Sequence, residues 1–356
     1  MPNLDTIIAE AVSRYEREYD RYLKLSARVA DICRSEVVEG NAIRAQVTSR
    51  AKSSKSFDGK IRLIEKATPG FIKTVESVFN AVRDLAAVRV ATYDKNDEVK
   101  VVQEIMKRFC GNAGGGVDVD RKDKHAANPG SFYRAAHSEV YLRPDELVGT
   151  YANLANTPCE VQVCSMMSHV WNEIEHDLGY KPLSGRLSEP EQELLGSLGH
   201  LSRTGDGIIS QLLAATERRL REQTGAFEDV YDFVARLRKW FPSVELTNHA
   251  GQCFDELQQL GITTPQQVEE LVGEARDVDA RAQQALAILS EKLVAAGHDR
   301  YTLDPTSSDL LLASLLPKLA QQIVDNHPTG RGIGGPPRIA WIAARYLELA
   351  NSMGTS

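Results

Sequence analysis

DLAAVRV, residues 84–90, reads as the start of a buried strand. Val88, Val90 and the following Thr92 are β-branched at alternate positions, and Asp84 stands just before them, where a carboxylate is costly unless paired or bound to a cation. A second run, CEVQV at residues 159–163, repeats the arrangement. Alternation puts Cys159, Val161 and Val163 on one face and Glu160 and Gln162 on the other. After it the period changes: in and around HVWNEIEHDLGYK, residues 169–181, Met167, Val170, Trp171, Ile174 and Leu178 fall at helical spacing and are expected to form a core face. His169, Glu173 and His176 lie on another face of that helix.

Two carboxylates on two apolar strands suit a divalent cation. Mg²⁺ is commonly held by one or two carboxylates together with the phosphate oxygens of a substrate. The alternatives are that Asp84 caps a helix or pairs with a base, and that Glu160 faces solvent. Glu173-x-x-His176 resembles half of a di-iron site, but no second copy is present. The five cysteines contain no C-x-x-C pair, which argues against zinc.

Upstream, RAKSSKSFDGK, residues 50–60, concentrates Arg50, Lys52, Ser53, Ser56 and Lys60 on one short segment. Eight Lys/Arg face two Asp/Glu over residues 41–75 in a chain of net charge -7. A basic island on an acidic protein suits a polyphosphate ligand better than nucleic acid, which usually meets a broadly basic surface. A solvated basic helix is the plainer reading. In GSFYRAAH, residues 130–137, Tyr133 follows the turn signal Asn128-Pro129-Gly130 and begins a strand running to Tyr141. Its ring is either a cross-strand packing residue or a platform on which a base stacks.

The order RxKSxxSxxxK, DLxxxRV, YRAxH, CEVQV and HxWxEIEHDLxYK resembles the synthetase domain of the RelA/SpoT family, which includes small alarmone synthetases and related toxins. The resemblance covers residues 41–225. It implies an α+β, nucleotidyltransferase-like fold, a mixed sheet flanked by helices. The implied activity is GTP diphosphokinase: pyrophosphate moves from ATP to the 3′-hydroxyl of GDP or GTP, giving the alarmones of the stringent response. By position, Arg50, Lys52, Ser56, Lys60 and Arg89 resemble the ATP-binding set, with Arg50 and Arg89 at the adenine. Asp84 resembles the Mg²⁺ ligand, and Glu160 a second metal ligand or the group that takes the hydroxyl proton. Tyr133, Gln162 and His169 resemble acceptor-site residues, with Lys122 and Lys124 supplying charge from a nearby loop.

The chain also departs from that pattern. It reads EVQVCS where the family has EIQIRT, so Cys164 replaces an arginine, and Ala87 replaces the glycine of DLxGxRV. Pro129 stands where a basic residue would grip the acceptor's 5′-phosphates. Two other acceptors therefore stay open: the 3′ end of tRNA, in a toxin neutralised by an antitoxin partner, and adenosine nucleotides. A catalytically weakened nucleotide sensor or interaction module is the alternative of another class.

The 356 residues, 42% hydrophobic, suffice for more than one core. No signal peptide or apolar membrane span is evident, and few unpatterned cysteines suit the cytoplasm. Residues 1–40 read as an amphipathic helix on the catalytic domain, its stripe formed by Leu4, Ile7, Ile8, Val12 and Tyr15. Residues 41–225 read as the pyrophosphokinase domain, and 226–356 as a small all-helical C-terminal domain. Gly111 to Asn128 reads as a long polar loop. A helical hairpin is expected after Ser188 and Glu191, on Leu194, Leu195, Leu198 and Leu201, with an interruption at Thr204–Gly207. In the C-terminal region Phe227, Val230, Tyr231, Val234 and Leu237 share a face, Thr264, Pro265 and Gln267 cap a helix, and residues 276–296 and 308–325 form two more. GRGIGGPPR, residues 330–338, reads as a connector rather than a phosphate loop. His176-Asp177 and His298-Asp299 do not build a hydrolase signature, so degradation of the product is not expected. A homo-oligomer stays open.

Overall fold

The computed structural model describes residues 3–125, 130–180, 187–221, 223–273, 277–298, 301–327 and 336–353. The chain divides into two compact units: Met1–Val38 with Arg44–Gln211, and Glu39–Ile43 with Leu212–Ser356.

The first unit is α+β. Its five strands are β1 (Ala45–Ala51), β2 (Ala86–Thr92), β3 (Val119–Asp123), β4 (Arg134–Val140) and β5 (Cys159–Ser165). They form a mixed sheet in the order β1-β2-β5-β4-β3, with β2 and β5 parallel and the other pairs antiparallel. Register sets Val88 beside Val161 and Val90 beside Val163, with Ala136 on the other side of Val163, and all five are buried. Each buried valine contributes roughly 1.5–3 kcal/mol by leaving water. Helix α1 (Leu4–Ile32) packs on β1 and β2, burying Ile7, Ile8, Ala11, Tyr15, Tyr22, Leu25 and Val29. The amphipathic reading of this segment therefore holds.

Helix α2 (Ser54–Ala67) starts at an N-cap, Ser53, whose side chain accepts from the Ser56 amide, and it buries Phe57 and Ile61 one turn apart. Helix α3 (Val75–Ala81) opens with a Thr74/Ser77 capping box. Helix α4 (Asp97–Arg108) has Asp97 and Glu98 in its first turn and Lys107 and Arg108 in its last, matching its dipole. Helix α5 (Met166–Glu175) leaves β5 directly, capped by Ser165, and runs into a π-helical turn, His176–Tyr180. Lys181 lies outside the described residues.

Three sequence expectations need correction here. Residues 111–125 are not a plain loop, since a 3₁₀ turn at Asn112–Gly114 precedes β3, whose polar VDRKD sequence is held as a strand by pairing with β4. Val170 and Leu178 are exposed. The buried side of α5 passes instead through Ser168, Trp171 and Asn172, because Trp171 Nε1 donates to the Leu195 carbonyl and Asn172 Nδ2 to that of Arg134. Thr204–Gly207 does not break the following helix: α6 is continuous from Glu189 to Leu220, a single helix rather than a hairpin, with Leu194 and Leu201 exposed. Its glycines allow close packing. A Cβ on Gly199 would stand 2.2 Å from Phe132 Cδ2, and one on Gly205 2.6 Å from Met167 Cε.

The second unit is helical. It contains α7 (Val230–Leu237), α8 (Ala250–Gln259), α9 (Pro265–Val272), α10 (Val278–Ala295), α11 (Asp309–Asn326) and α12 (Arg338–Met353). Trp240, Phe241, Leu310, Leu311 and Ile342 lie in its core. The Thr264/Gln267 capping box of α9 is present. The two long helices expected over 276–296 and 308–325 correspond to α10 and α11, whereas α8 and α12 had no reading of their own. Residues 330–335 of the glycine-rich stretch and Asp299 lie outside the described residues. Arg338 makes a bidentate pair with Asp309, at 2.7 and 2.6 Å.

Candidate active site

The face of the sheet opposite the buried valines carries the polar residues in register. Arg50 is paired with Ala87, Ala87 with Glu160, Arg89 with Gln162, and Gln162 with His137. Because directly paired residues share a face, four strands that are distant in sequence deliver their functional groups to one surface.

Just before β2, Asp84 meets two ammoniums. Lys52 Nζ is 2.6 Å from Oδ2 and Lys60 Nζ is 2.7 Å from Oδ1. Lys52 follows β1, where its amide donates to the Leu85 carbonyl at 2.9 Å and its carbonyl accepts from the Tyr15 hydroxyl at 2.5 Å. Lys60 stands on α2. Burial opposes ionisation of Asp84, but Lys60 and Lys52 together outweigh it and hold the carboxyl below its usual range. Burial also lowers the Lys52 ammonium, which Asp84 only partly restores.

Next to this cluster is a pocket of about 240 Å³ lined by Thr48, Ser49, Arg50, Ala87, Val88, Arg89 and Gln162. Arg89 donates to Gln162 Oε1 at 3.4 Å, lies 3.2 Å from His169 Nδ1 and pairs with Glu173 at 2.8 Å. Burial, and then the Arg89 charge, push the His169 imidazole down. Ala87, standing where the related motif has glycine, puts its methyl group in the lining of this pocket.

On the other side, Glu160 is held at both oxygens. His137 Nδ1 is 3.1 Å from Oε1, and Gln162 Nε2 donates to Oε2 at 2.7 Å. His137 Nε2 is 2.7 Å from the Tyr133 hydroxyl. A neutral imidazole with its proton on Nδ1 satisfies both contacts, donating to the carboxylate and accepting from the phenol. Burial raises the Glu160 pKa, but the contacts with His137 and then Gln162 pull it below the ordinary value, against opposition from Asp84. Burial raises the Tyr133 hydroxyl to about 12, with Glu160 adding to the effect. Lys124 Nζ sits 4.7 Å from the centre of the Tyr133 ring, a cation–π contact, and the Lys124 amide donates to the Tyr133 carbonyl.

The structure therefore gathers Lys52, Lys60 and Asp84; Arg50, Arg89, Gln162 and His169; and Tyr133, Lys124 and Glu160. Ser56 bonds Ser53 within the α2 cap, and Lys122 pairs with Asp120 on the outermost strand. Sequence reasoning missed His137 as a site residue, although it lies in the quoted YRAxH. It also missed Asp206 on α6, a buried acid that accepts from Ser165 Oγ at 3.1 Å and lies 3.5 Å from Arg134. Cys164 is buried and its thiol is pushed up to about 12, by burial first, so it brings no charge where the motif has arginine. Pro129 lies outside the described residues.

For Mg²⁺ the donor chemistry fits. Asp84 and Glu160 supply hard oxygens, and Asp84 already binds two positive charges. Among the described residues no group of three or more His, Cys, Asp and Glu side chains is placed to hold a metal, so a cation here would need oxygens from its substrate.

Comparison with known proteins places the same region. Residues 49–184 match the family described as "Region found in RelA / SpoT proteins". No curated protein sequence matches the chain. Among solved structures, a GTP pyrophosphokinase family protein from Streptococcus pneumoniae is 20% identical with a TM-score of 0.44, over 56% of this chain and 92% of that one. The small alarmone synthetase 1 from Bacillus subtilis is 21% identical, TM-score 0.44, over 58% and 98%. The small alarmone synthetase 2 from Bacillus subtilis is 16% identical, TM-score 0.40, over 57% and 98%.

Proposed function

We propose that this chain, whose residues 49–184 match the region found in RelA/SpoT proteins, is an ATP-dependent pyrophosphokinase that acts on the 3′-hydroxyl of GDP or GTP. The observation that carries this reading is the pairing of Lys52 and Lys60 on Asp84, on a sheet whose polar face also presents Glu160. Such a site needs no covalent intermediate, because phosphoryl-type transfer depends mainly on positioning and charge neutralisation. The catalytic machinery is assigned to residues 41–225, with residues 1–40 supporting it and 226–356 a separate helical domain.

In this reading Arg50 and Arg89 hold the adenine end of ATP in the pocket between β1 and β2, while Lys52, Ser56 and Lys60 receive the phosphates. Asp84 and Glu160 would hold Mg²⁺, which when bound supplies charge neutralisation at the phosphate oxygens. Tyr133 stacks on the acceptor base, with Gln162 and His169 nearby and Lys124 and Lys122 available to acceptor phosphates. The acceptor's 3′-oxygen bonds to the β-phosphorus of ATP, the bond from that phosphorus to the α,β-bridging oxygen breaks, and AMP leaves. The hydroxyl proton goes toward Glu160. A carboxylate held below its ordinary pKa is a weak base, so Glu160 mainly orients the hydroxyl.

The test is thin-layer chromatography with ATP labelled on its terminal phosphate and Mg²⁺, offering GDP, GTP, AMP, ATP or bulk tRNA in separate tubes. Label in a guanosine tetra- or pentaphosphate is the expected result. Label in tRNA or in an adenosine product would move the acceptor, and no transfer with any acceptor would overturn the activity.

A further inference from the structure

We propose that Asp84 also sets which form of the triphosphate the site accepts, admitting the metal complex and excluding the metal-free anion by keeping Lys52 and Lys60 closed against itself. This rests on the ATP-binding reading above.

The lysines assigned to the phosphates are not waiting for them. Both ammoniums lie on one carboxylate, one on each oxygen, and the Asp84 and Lys52 side chains are only 14% and 12% exposed. Lys52 cannot withdraw with its backbone, which is fixed by the Tyr15 hydroxyl on one side and Leu85 on the other. Lys60 is held through α2, which is anchored by buried Phe57 and Ile61. Arg50, whose charge acts on Lys52, adds a third positive group to this stretch.

A metal-free triphosphate that takes both lysines leaves Asp84 buried, charged and beside an anion, which is the costly way to break a buried ion pair. A divalent cation changes the balance. It brings two positive charges to Asp84, equal to the two ammoniums it displaces, and those ammoniums move to the phosphates. Every charge then keeps a partner.

The experiment is calorimetric titration of ATP into the full chain, in EDTA and in Mg²⁺, for wild type, Asp84→Asn and Glu160→Gln. Wild type is expected to bind in Mg²⁺ and at least about tenfold more weakly in EDTA. Asp84→Asn is expected to bind metal-free ATP at least about tenfold more tightly than wild type does, and to lose most of the Mg²⁺ dependence. Glu160→Gln removes a neighbouring negative charge without freeing a lysine, so it should gain less than about threefold in EDTA. No gain in Asp84→Asn, or an equal gain in Glu160→Gln, overturns the proposal. Wild type that binds ATP in neither buffer overturns the ATP reading instead. If Asp84→Asn does not fold, inorganic tripolyphosphate titrated into wild type decides. Equal affinity with and without Mg²⁺ overturns the proposal, and binding that requires Mg²⁺ supports it.

Discussion

His137 joins the two groups assigned to the acceptor, lying 2.7 Å from the Tyr133 hydroxyl and 3.1 Å from Glu160. Replacing it with alanine removes a hydrogen bond to a charged carboxylate, a loss of about 2 kcal/mol, or roughly 30-fold. His137→Ala is therefore expected to lower kcat by roughly 30-fold while the KM for ATP changes less than about twofold. His137→Asn, whose amide can replace Nδ1 as donor, should recover part of kcat. Equal loss in both variants, or a loss confined to the KM for ATP, would rule out this role, and steady-state kinetics with each substrate varied decides. Asp84 and Glu160 could be singled out in the sequence because a carboxylate among β-branched residues is costly unless it is paired or bound to a cation, and each has partners in the structure. His137 was not, because its importance comes from lying opposite Gln162 across β4 and β5, a register that neither strand specifies alone.

At the scale of elements, β2, β4, β5 and several helices were readable from period and caps, whereas β1 had no reading of its own and β3 was read as loop, and the errors fall where tertiary contacts override local propensity. Gly205 and Gly207 lie in the expected interruption at Thr204–Gly207, yet α6 runs through both, as it does through Gly199. Two of the three are places where a neighbour comes too close for a side chain, a fact that belongs to Phe132 and Met167. The glycines therefore separate by experiment. Gly207 has nothing within 4 Å of an added Cβ, so Gly207→Ala should stabilise the chain by about 0.5–1 kcal/mol through helix propensity. Gly199→Ala must displace the ring of Phe132, the residue preceding Tyr133, and is expected to cost about 1–3 kcal/mol. Urea denaturation of both variants gives the two signs, and destabilisation by Gly207→Ala would contradict this account. The same distinction explains α5, where spacing pointed to Val170 and Leu178 but hydrogen bonds from Trp171 and Asn172 set the buried side. It also explains β3, which has no apolar alternation and exists because β4 offers it a partner.

For the whole molecule, the composition announced more than one core, and the structure assigns the site to one unit and a separate apolar core to the other. Chains built this way commonly depart from a single unfolding transition. Differential scanning calorimetry is expected to show two transitions, and two perturbations should identify them. A ligand that binds only the folded first unit raises that unit's transition, by about 2.7 kcal/mol at a hundred times its Kd, so Mg²⁺ with a non-hydrolysable ATP analogue should move one peak. Asp309→Ala should move the other. It leaves the Arg338 guanidinium, whose side chain is 5% exposed, without its bidentate carboxylate, and breaking a buried pair from one side costs about 3–5 kcal/mol. The signs of the shifts show the same dependence: burial opposes both charges, yet the Asp309 carboxyl is lowered and the Arg338 guanidinium raised, so each depends on the other. If the ligand and Asp309→Ala move the same single peak, the two units unfold as one and the separation of their stabilities is wrong. If they move different peaks, the helical unit can change its stability without altering nucleotide binding, which is the condition for it to carry a task of its own.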